Sequence, residues 1–120
     1  MIKKVYHLST CSTCKRIIKE LGLKDNFELQ NVKEKPISEE ELEKLKSFIG
    51  NYENLFNKRA ILYRERNLKE TTLSEVNYKN LILEHYSFLK RPIIQINDQY
   101  FIGNAKKTIE NAKKYIQNLK

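Results

Sequence analysis

The spacing of apolar residues predicts a strand–helix–strand start, a helical middle and a strand–strand–helix end. Residues 2–8 and 27–32 carry apolar side chains in short runs typical of strands, and the second run alternates with a period of two. Between them, apolar residues at helical spacing over 14–21 predict a helix that ends at Gly22. This order predicts a βαβ unit with parallel strands and a right-handed crossover.

The middle of the chain, residues 38–89, is predicted to be helical. Ser38 followed by Glu41 forms a capping box, so a helix is expected from about residue 39 until Gly50. Short helices are expected over 52–57 and 59–66, and a further helix after Ser74. The predicted apolar positions of these helices are Leu42, Leu45, Phe48, Ile49, Leu55, Phe56, Ile61, Leu62, Tyr63, Leu81, Ile82, Leu83, Phe88 and Leu89.

The last thirty residues return to strand composition and then to a helix. Residues 91–96 and 99–102 are predicted strands, and Asn97-Asp98 between them is a plausible two-residue hairpin turn. Apolar residues at regular helical spacing predict a final helix over 105–119. The βαβ start and the ββα end, together with a Cys-x-x-Cys at the first helix, resemble the thioredoxin/glutaredoxin architecture.

The length of 120 residues indicates one domain with one hydrophobic core. We expect a single α/β, thioredoxin/glutaredoxin-like domain whose core halves are residues 1–37 and 90–120, with 38–89 as a helical insertion. No apolar stretch approaches the about 20 residues that cross a membrane, and the N-terminal sequence lacks a signal-peptide pattern. A cytoplasmic protein without a membrane segment is therefore expected. A monomer is expected because one core accounts for the apolar positions.

The formal net charge of +8 suits an anionic substrate, an acidic protein partner or loose binding to nucleic acid. The lysines are scattered and usually stand among acidic residues, so the charge is also compatible with an ordinary solvated surface. The charge alone does not choose between these interpretations.

The two cysteines carry the candidate chemistry. Cys11 falls at the start of the first predicted helix, where unpaired N–H groups and the helix dipole stabilise an anion. A thiolate in that position has its pKa lowered from about 8.5 towards about 3.5–7.5, which makes Cys11 the candidate nucleophile. Cys14 lies one turn further on the same face, where it can close a disulfide with Cys11. His7, Lys15 and Arg16 add nearby positive charge or hydrogen-bond donors.

Two other interpretations of the cysteine pair stay open. A Cys-x-x-Cys can be half of a zinc site, but such a site needs a second pair of ligands. The histidines of the chain, His7 and His85, do not form such a pair, so no metal is expected. The cysteines can also be two unrelated buried residues. In the cytoplasm, a cysteine pair is more often catalytic, sensory or metal-binding than a structural disulfide.

Four short segments resemble the glutaredoxin-coupled arsenate reductase (ArsC) family and the related Spx regulators, which sense disulfides and control transcription. They are Tyr6-His7-Leu8-Ser9-Thr10-Cys11, Leu55-Phe56-Asn57-Lys58-Arg59 with Tyr63, Leu89-Lys90-Arg91-Pro92-Ile93-Ile94, and Phe101-Ile102-Gly103-Asn104. The resemblance covers nearly the whole chain and implies a thioredoxin-like fold with a helical insert.

The resemblance implies roles for particular residues. Cys11 matches the nucleophile, His7 a histidine that lowers its pKa, and Arg91 an oxyanion-binding arginine. A cis Arg91–Pro92 bond near Cys11 is also implied.

Other positions depart from the family. The family has two further arginines, at positions where this chain has Asn57 and either Gly103 or Asn104. The glutathione-dependent arsenate reductases of the family also have no counterpart of Cys14. The candidate substitutes for these arginines are Arg59, Lys58 and Lys106, of which only Arg59 offers a guanidinium fork. The candidate site residues are thus Cys11, Cys14 and Arg91 as catalytic residues, and His7, Ser12, Thr13, Arg59 and Pro92 as substrate-binding or pKa-tuning residues.

The resemblance implies two functions. In the first, Cys11 attacks a small oxyanion or a disulfide, Cys14 resolves the intermediate through a disulfide, and an external thiol reductant resets the pair. That reductant is glutathione with glutaredoxin, or thioredoxin, and no bound cofactor is expected. In the second, the pair is a redox switch in an Spx-like regulator that binds RNA polymerase. A thiol oxidoreductase without a role in arsenic chemistry differs from the first only in its substrate.

Overall fold

The computed structural model describes residues 1–119, which form nine elements of regular secondary structure and three short 3₁₀ turns. The strands are β1 (Lys3–His7), β2 (Glu28–Asn31), β3 (Ile93–Ile96) and β4 (Gln99–Ile102). The helices are α1 (Ser12–Glu20), α2 (Glu39–Ile49), α3 (Ile61–Glu65), α4 (Glu75–Glu84) and α5 (Lys106–Asn118). The 3₁₀ turns are Glu53–Leu55, Leu68–Glu70 and Tyr86–Phe88.

The chain divides into two compact units. The first unit joins residues 1–35 to the chain from Arg91 onward, and the second is Pro36–Lys90. The division falls close to the boundaries predicted for the insertion, whereas the assignment of the whole chain to one domain stays a prediction. Within the described part of the chain, none of the helices is both long enough and apolar enough to cross a membrane.

The first unit is built on a mixed four-stranded sheet in the order β2-β1-β3-β4. β1 and β2 run parallel with Val5 opposite Leu29, as the βαβ pattern predicts. β1 and β3 run antiparallel with Val5 opposite Ile94. β3 and β4 form the predicted hairpin, and Asn97 in its turn has a φ of 53°, a left-handed conformation that asparagine tolerates better than most residues.

Apolar side chains from the sheet and from both helices of the first unit form one core. Val5 and Ile94, which face each other across the two central strands, are both fully buried. Ile17 of α1 and Ala112 of α5 are buried in the same cluster. The remaining buried members are Leu23, Phe27 and Ile96, and the partly buried residues packed against them are Ile18, Leu21, Phe101, Ile109, Tyr115 and Ile116. This core holds the N-terminal end of α1 next to the end of β1.

The second unit consists of helices, as predicted, and of 3₁₀ turns, one of which, Glu53–Leu55, stands where the sequence predicts a short helix over 52–57. The Ser38 hydroxyl accepts a hydrogen bond from the Glu41 N–H, and the Glu41 carboxylate accepts one from the Ser38 N–H, which is the predicted capping box. Gly50 ends α2 with a φ of 106°. Phe56 is almost fully buried, and its ring contacts those of Tyr63, Tyr78 and Phe88.

Two predicted apolar positions of the second unit are exposed. Phe48 is 43% exposed, and Ile61 is 64% exposed. Ile61 is the first residue of α3, which has only five residues. A helix of little more than one turn buries only one side, and Leu62 and Tyr63 of α3 are the partly buried ones.

Candidate active site

Cys11 occupies the N-cap of α1, between the end of β1 and the first helical turn. Its backbone is extended, with φ −88° and ψ 113°. The Cys11 N–H donates to the Leu8 carbonyl at 2.9 Å, and the Lys15 N–H donates to the Cys11 carbonyl at 3.1 Å. The first turn of α1 contains no acidic residue. The backbone therefore fixes the half-buried Cys11 thiol at the positive end of the helix dipole.

The surroundings of Cys11 favour its ionised form. Burial opposes ionisation and is the largest single influence on this thiol. The N–H and S–H groups of Cys14, the N–H of Thr13 and the charge of Arg91 together outweigh burial, so the pKa of Cys11 lies below its ordinary value. The Cys11 side chain does not cap α1 with a hydrogen bond of its own in this geometry. The N–H groups are nonetheless close enough to favour a thiolate.

The surroundings of Cys14 have the opposite effect. Cys14 is completely buried, and burial is the main reason why its pKa is raised to about 11. Its interaction with the Cys11 side chain raises the pKa further, while the backbone of Leu8 and the charge of Arg91 lower it only in part. Both thiols are free. Cys14 therefore keeps its proton at neutral pH, and Cys11 is the thiol that ionises more readily.

Arg91 and Pro92 stand immediately before β3. The bond between them is cis, as the resemblance implies. Arg91 is partly buried, and its charge lowers the pKa of both Cys11 and Cys14. The buried Pro92 accepts a hydrogen bond at its carbonyl from the Gly103 N–H at 2.9 Å. The structure thus brings Arg91 together with both cysteines.

His7 lies at the end of β1, opposite Asn31 of β2. Burial lowers the pKa of His7 from its ordinary value, and the nearby Glu34 only partly compensates. His7 is therefore mainly neutral at pH 7. A neutral imidazole donates or accepts hydrogen bonds but adds no full positive charge next to Cys11.

The remaining predicted residues lie in different places. Ser12 is exposed at the first position of α1, and Thr13 is half-buried beside it, where its N–H favours the Cys11 thiolate. Arg59 belongs to the second unit, where it lines a cavity with other cations. Its use as a substitute arginine for the Cys11 site stays a prediction.

The sequence did not point to Asn31 and Ser9, which connect β2 to the loop that carries Cys11. The Asn31 amide donates to the Ser9 hydroxyl at 2.9 Å, and its carbonyl oxygen accepts from the Lys33 N–H at 3.2 Å. The only signal in the sequence is a polar residue at the end of a predicted strand, which is too common to single out Asn31.

Within residues 1–119, no three His, Cys, Asp or Glu side chains come together in a way that could hold a metal ion. The chemistry that this arrangement supports is that of two thiols with different pKa values near a guanidinium group.

Comparison with known proteins identifies the family. A sequence model of the ArsC family matches residues 6–112. The chain belongs to the ArsC family. It is also 30% identical over 96 residues to the global transcriptional regulator Spx of Streptococcus mutans, a match that covers 78% of this chain and 70% of that protein.

Solved structures similar to this ArsC-family chain show the same fold. A putative ArsC family related protein from Bacteroides fragilis superposes with a TM-score of 0.77 at 22% identity, over 92% of this chain and 97% of that one. An arsenate reductase from Vibrio cholerae superposes with a TM-score of 0.76 at 24% identity, over the same shares of the two chains. The predicted α/β, thioredoxin/glutaredoxin-like fold and the resemblance to the ArsC family are confirmed.

In this ArsC-family chain, the positions where the resemblance places two further arginines have other roles. The Asn57 amide donates to the Ser87 carbonyl at 3.2 Å, and its oxygen accepts from the Arg59 N–H at 3.0 Å. Gly103 is buried with a φ of 90° at the end of β4. An amide used for backbone contacts and a glycine do not replace two guanidinium groups as anion ligands.

Proposed function

We propose that the protein is a thiol–disulfide oxidoreductase in which Cys11 is the nucleophile and Cys14 the resolving thiol. The observation that carries this proposal is the opposite pKa shift of two thiols one helical turn apart, lowered for Cys11 and raised to about 11 for Cys14. A nucleophile must be ionised at neutral pH, whereas a resolving thiol must stay protonated until the intermediate has formed.

The reaction has two exchange steps. The Cys11 thiolate attacks one sulfur of a disulfide substrate, forms a mixed disulfide with it and releases the other half as a thiolate. Cys14 then loses its proton to the solvent or to the leaving thiolate and attacks the Cys11 sulfur. This step forms the Cys11–Cys14 disulfide and releases the second half of the substrate as a thiol. Two electrons from an external thiol reductant, glutaredoxin with glutathione or thioredoxin, restore both thiols.

The charge of Arg91 suits a substrate that carries an anionic group. A guanidinium group offers two parallel N–H donors to a carboxylate or an oxyanion. Residues 57, 103 and 104 are not arginine. This site therefore offers a bare oxyanion such as arsenate fewer guanidinium groups than the set of three arginines that the resemblance implies. We therefore propose an anionic thiol adduct, such as a mixed disulfide of glutathione, as the substrate class, ahead of arsenate.

The pH dependence of alkylation tests the nucleophile. With iodoacetamide in limiting amounts, the wild-type protein is expected to react at one thiol below pH 9, with a rate that rises through the lowered pKa of Cys11 and then levels off. The Cys14→Ser variant keeps a hydrogen-bond donor next to Cys11 and is expected to show nearly the same profile. The Cys14→Ala variant lacks that donor, so its profile should move to higher pH.

Mass spectrometry of the alkylated peptides provides the control, because it tells the two thiols apart. Cys11→Ser should leave only slow alkylation of the buried Cys14, which rises towards pH 11. Equal labelling of both cysteines at pH 7, or a Cys11 profile centred at the pKa of a free thiol, contradicts the proposal.

A redox-sensing transcriptional regulator is the second candidate, because the chain carries a cysteine pair and is 30% identical over 96 residues to a global transcriptional regulator, Spx. In this case the Cys11–Cys14 disulfide forms in response to oxidants in the cytoplasm and changes the binding of RNA polymerase. The wild-type protein should then retain different amounts of polymerase before and after diamide treatment, whereas Cys14→Ser should retain the same amount in both. Equal retention by wild type under both conditions excludes the regulatory role.

A further inference from the structure

The second unit contains a cavity whose lining includes none of the residues that shift the pKa of Cys11. It has a volume of about 350 Å³ and lies between the start of α3 and the 3₁₀ turn Leu68–Glu70. It is lined by Lys58, Arg59, Ala60, Tyr63, Arg64, Asn67, Lys69 and Glu70. This volume is at the lower end of the about 300–1,000 Å³ that is typical of small-molecule sites.

The lining carries four cations and a single carboxylate, that of Glu70. Lys58 is held at 2.6 Å by Glu53, which lies outside the cavity. Among the residues that the structure describes, no carboxylate forms an ion pair with Arg59, Arg64 or Lys69. These three cations line one concave surface that the Glu70 carboxylate only partly neutralises, and a cleft with an excess of one sign of charge concentrates ions of the opposite sign.

The backbone that presents these cations is well anchored. The Arg59 N–H donates to the Asn57 side chain at 3.0 Å, and the Asn57 amide in turn donates to the Ser87 carbonyl at 3.2 Å. Ala60 is buried, and the Tyr63 ring packs against Phe56 with 5.8 Å between the ring centroids. Because the backbone of this wall is fixed by packing, a ligand has to order only the exposed side chains of the cations when it binds.

Asn67 and Lys69 close the other side of the cavity. Asn67 has a φ of 52°, and this left-handed residue turns the chain from α3 into the 3₁₀ turn. The Asn67 N–H donates to the Arg64 carbonyl at 3.1 Å, and the Glu70 N–H donates to the Asn67 carbonyl at 3.1 Å. This reversal of the chain places Lys69 and Arg64 in the same lining.

We propose that this cavity binds a small molecule through a phosphoryl group, with Arg59, Arg64 and Lys69 as its ligands. A phosphoryl group carries up to two negative charges and several acceptor oxygens, which match two guanidinium forks and one ammonium group. The size of the cavity suits inorganic pyrophosphate or a small phosphate ester. The lining residues all belong to the second unit, and binding of a phosphoryl group by these cations requires neither thiol of the first unit.

A titration of the full chain, followed by amide NMR at constant ionic strength, tests the proposal. Sodium pyrophosphate is the probe in one arm and glycerol 3-phosphate in the other. Saturable shifts confined to the amides of residues 58–70 are expected in at least one arm. Binding of pyrophosphate alone assigns the site to the inorganic anion, and binding of both assigns it to the phosphoryl group of either source.

Variants distinguish a specific binding site from the general attraction of anions to a basic protein. Arg64→Gln and Lys69→Gln are each expected to weaken binding about tenfold or more, the loss typical of one charge-assisted contact. Lys24→Gln removes the same charge from an exposed position of the first unit and should leave the affinity unchanged.

The amide spectrum of each free variant shows whether its fold is intact, and Arg64→Lys, which keeps the charge, is expected to weaken binding less than Arg64→Gln. Equal weakening by Lys24→Gln, shifts centred on residues 11–14, or the absence of saturation in both arms each overturns the proposal.

Discussion

Replacement of Cys11 by serine is expected to abolish disulfide reduction, with a loss of turnover on the order of 10³-fold or more. A serine hydroxyl is essentially un-ionised at neutral pH, so the N–H groups at the start of α1 and the charge of Arg91 have no anion to stabilise. The rate of reduction of a glutathione mixed disulfide, with glutathione and glutaredoxin or with thioredoxin as the reductant and after subtraction of the rate without the protein, measures this loss. Arsenate as an alternative oxidant in the same assay reports on the oxyanion reaction.

Cys14→Ser is the matched comparison, because it removes the resolving thiol and keeps the nucleophile. This variant should accumulate a mixed disulfide between Cys11 and the substrate, visible as an added mass on the intact protein. Cys11→Ser should never show that adduct. If Cys11→Ser retains the wild-type rate, or if the adduct forms on Cys14, the roles proposed for the two cysteines are wrong.

The order of the elements could be predicted because each has a strong local signal. The strand β2, the capping box at Ser38 and the Asn97-Asp98 turn are all present in the structure as predicted. The predicted alternation within β2 is wrong in its burial, because the apolar Leu29 is exposed and the polar Gln30 is buried. The exposure of Phe48 and Ile61 could not be predicted in this way. An apolar residue at helical spacing is buried only if another element covers it, and the sequence does not show which faces are covered.

The chemistry of the site could be predicted in part. The position of Cys11 at the start of a predicted helix indicated that it is the thiol that ionises. In the structure, the surroundings of Cys11 lower its pKa, which agrees with this prediction. Cys14 is completely buried, and this burial raises its pKa to about 11. The burial depends on how α1 packs, which cannot be predicted from the sequence. The lowered pKa of His7 has the same origin, since its main cause is burial.

The cavity of the second unit shows why scattered charges are hard to interpret in a sequence. Arg59 and Arg64 stand among other charged residues and look like part of a solvated surface. Only the short α3 and the left-handed Asn67 bring them into one lining with Lys69. A local reversal of the chain thus converts a run of ordinary surface residues into a candidate site.

Truncation of Ile94 should cause the largest loss of stability in the first unit, because this side chain lies at the centre of the core that positions α1. Ile94 is fully buried on a central strand, opposite the equally buried Val5. Ile94→Ala is expected to lower the free energy of unfolding by about 2–5 kcal/mol, and Ile94→Val by about 0.5–1.5 kcal/mol, since the cost grows with the cavity that is left. Urea denaturation followed by circular dichroism measures both values.

Ile2→Ala is the control, because it makes the same change of side chain at an exposed position. Ile2 is 55% exposed at the start of the same unit, so its truncation should change the free energy of unfolding by no more than about 0.5 kcal/mol. A similar loss in Ile2→Ala and Ile94→Ala, or a loss in Ile94→Ala no larger than that in Ile94→Val, would show that the sheet and α1 are not held together through this core. The position of Cys11 at the helix start would then need another structural cause, because α1 reaches β1 through Ile17 and its neighbours in this cluster.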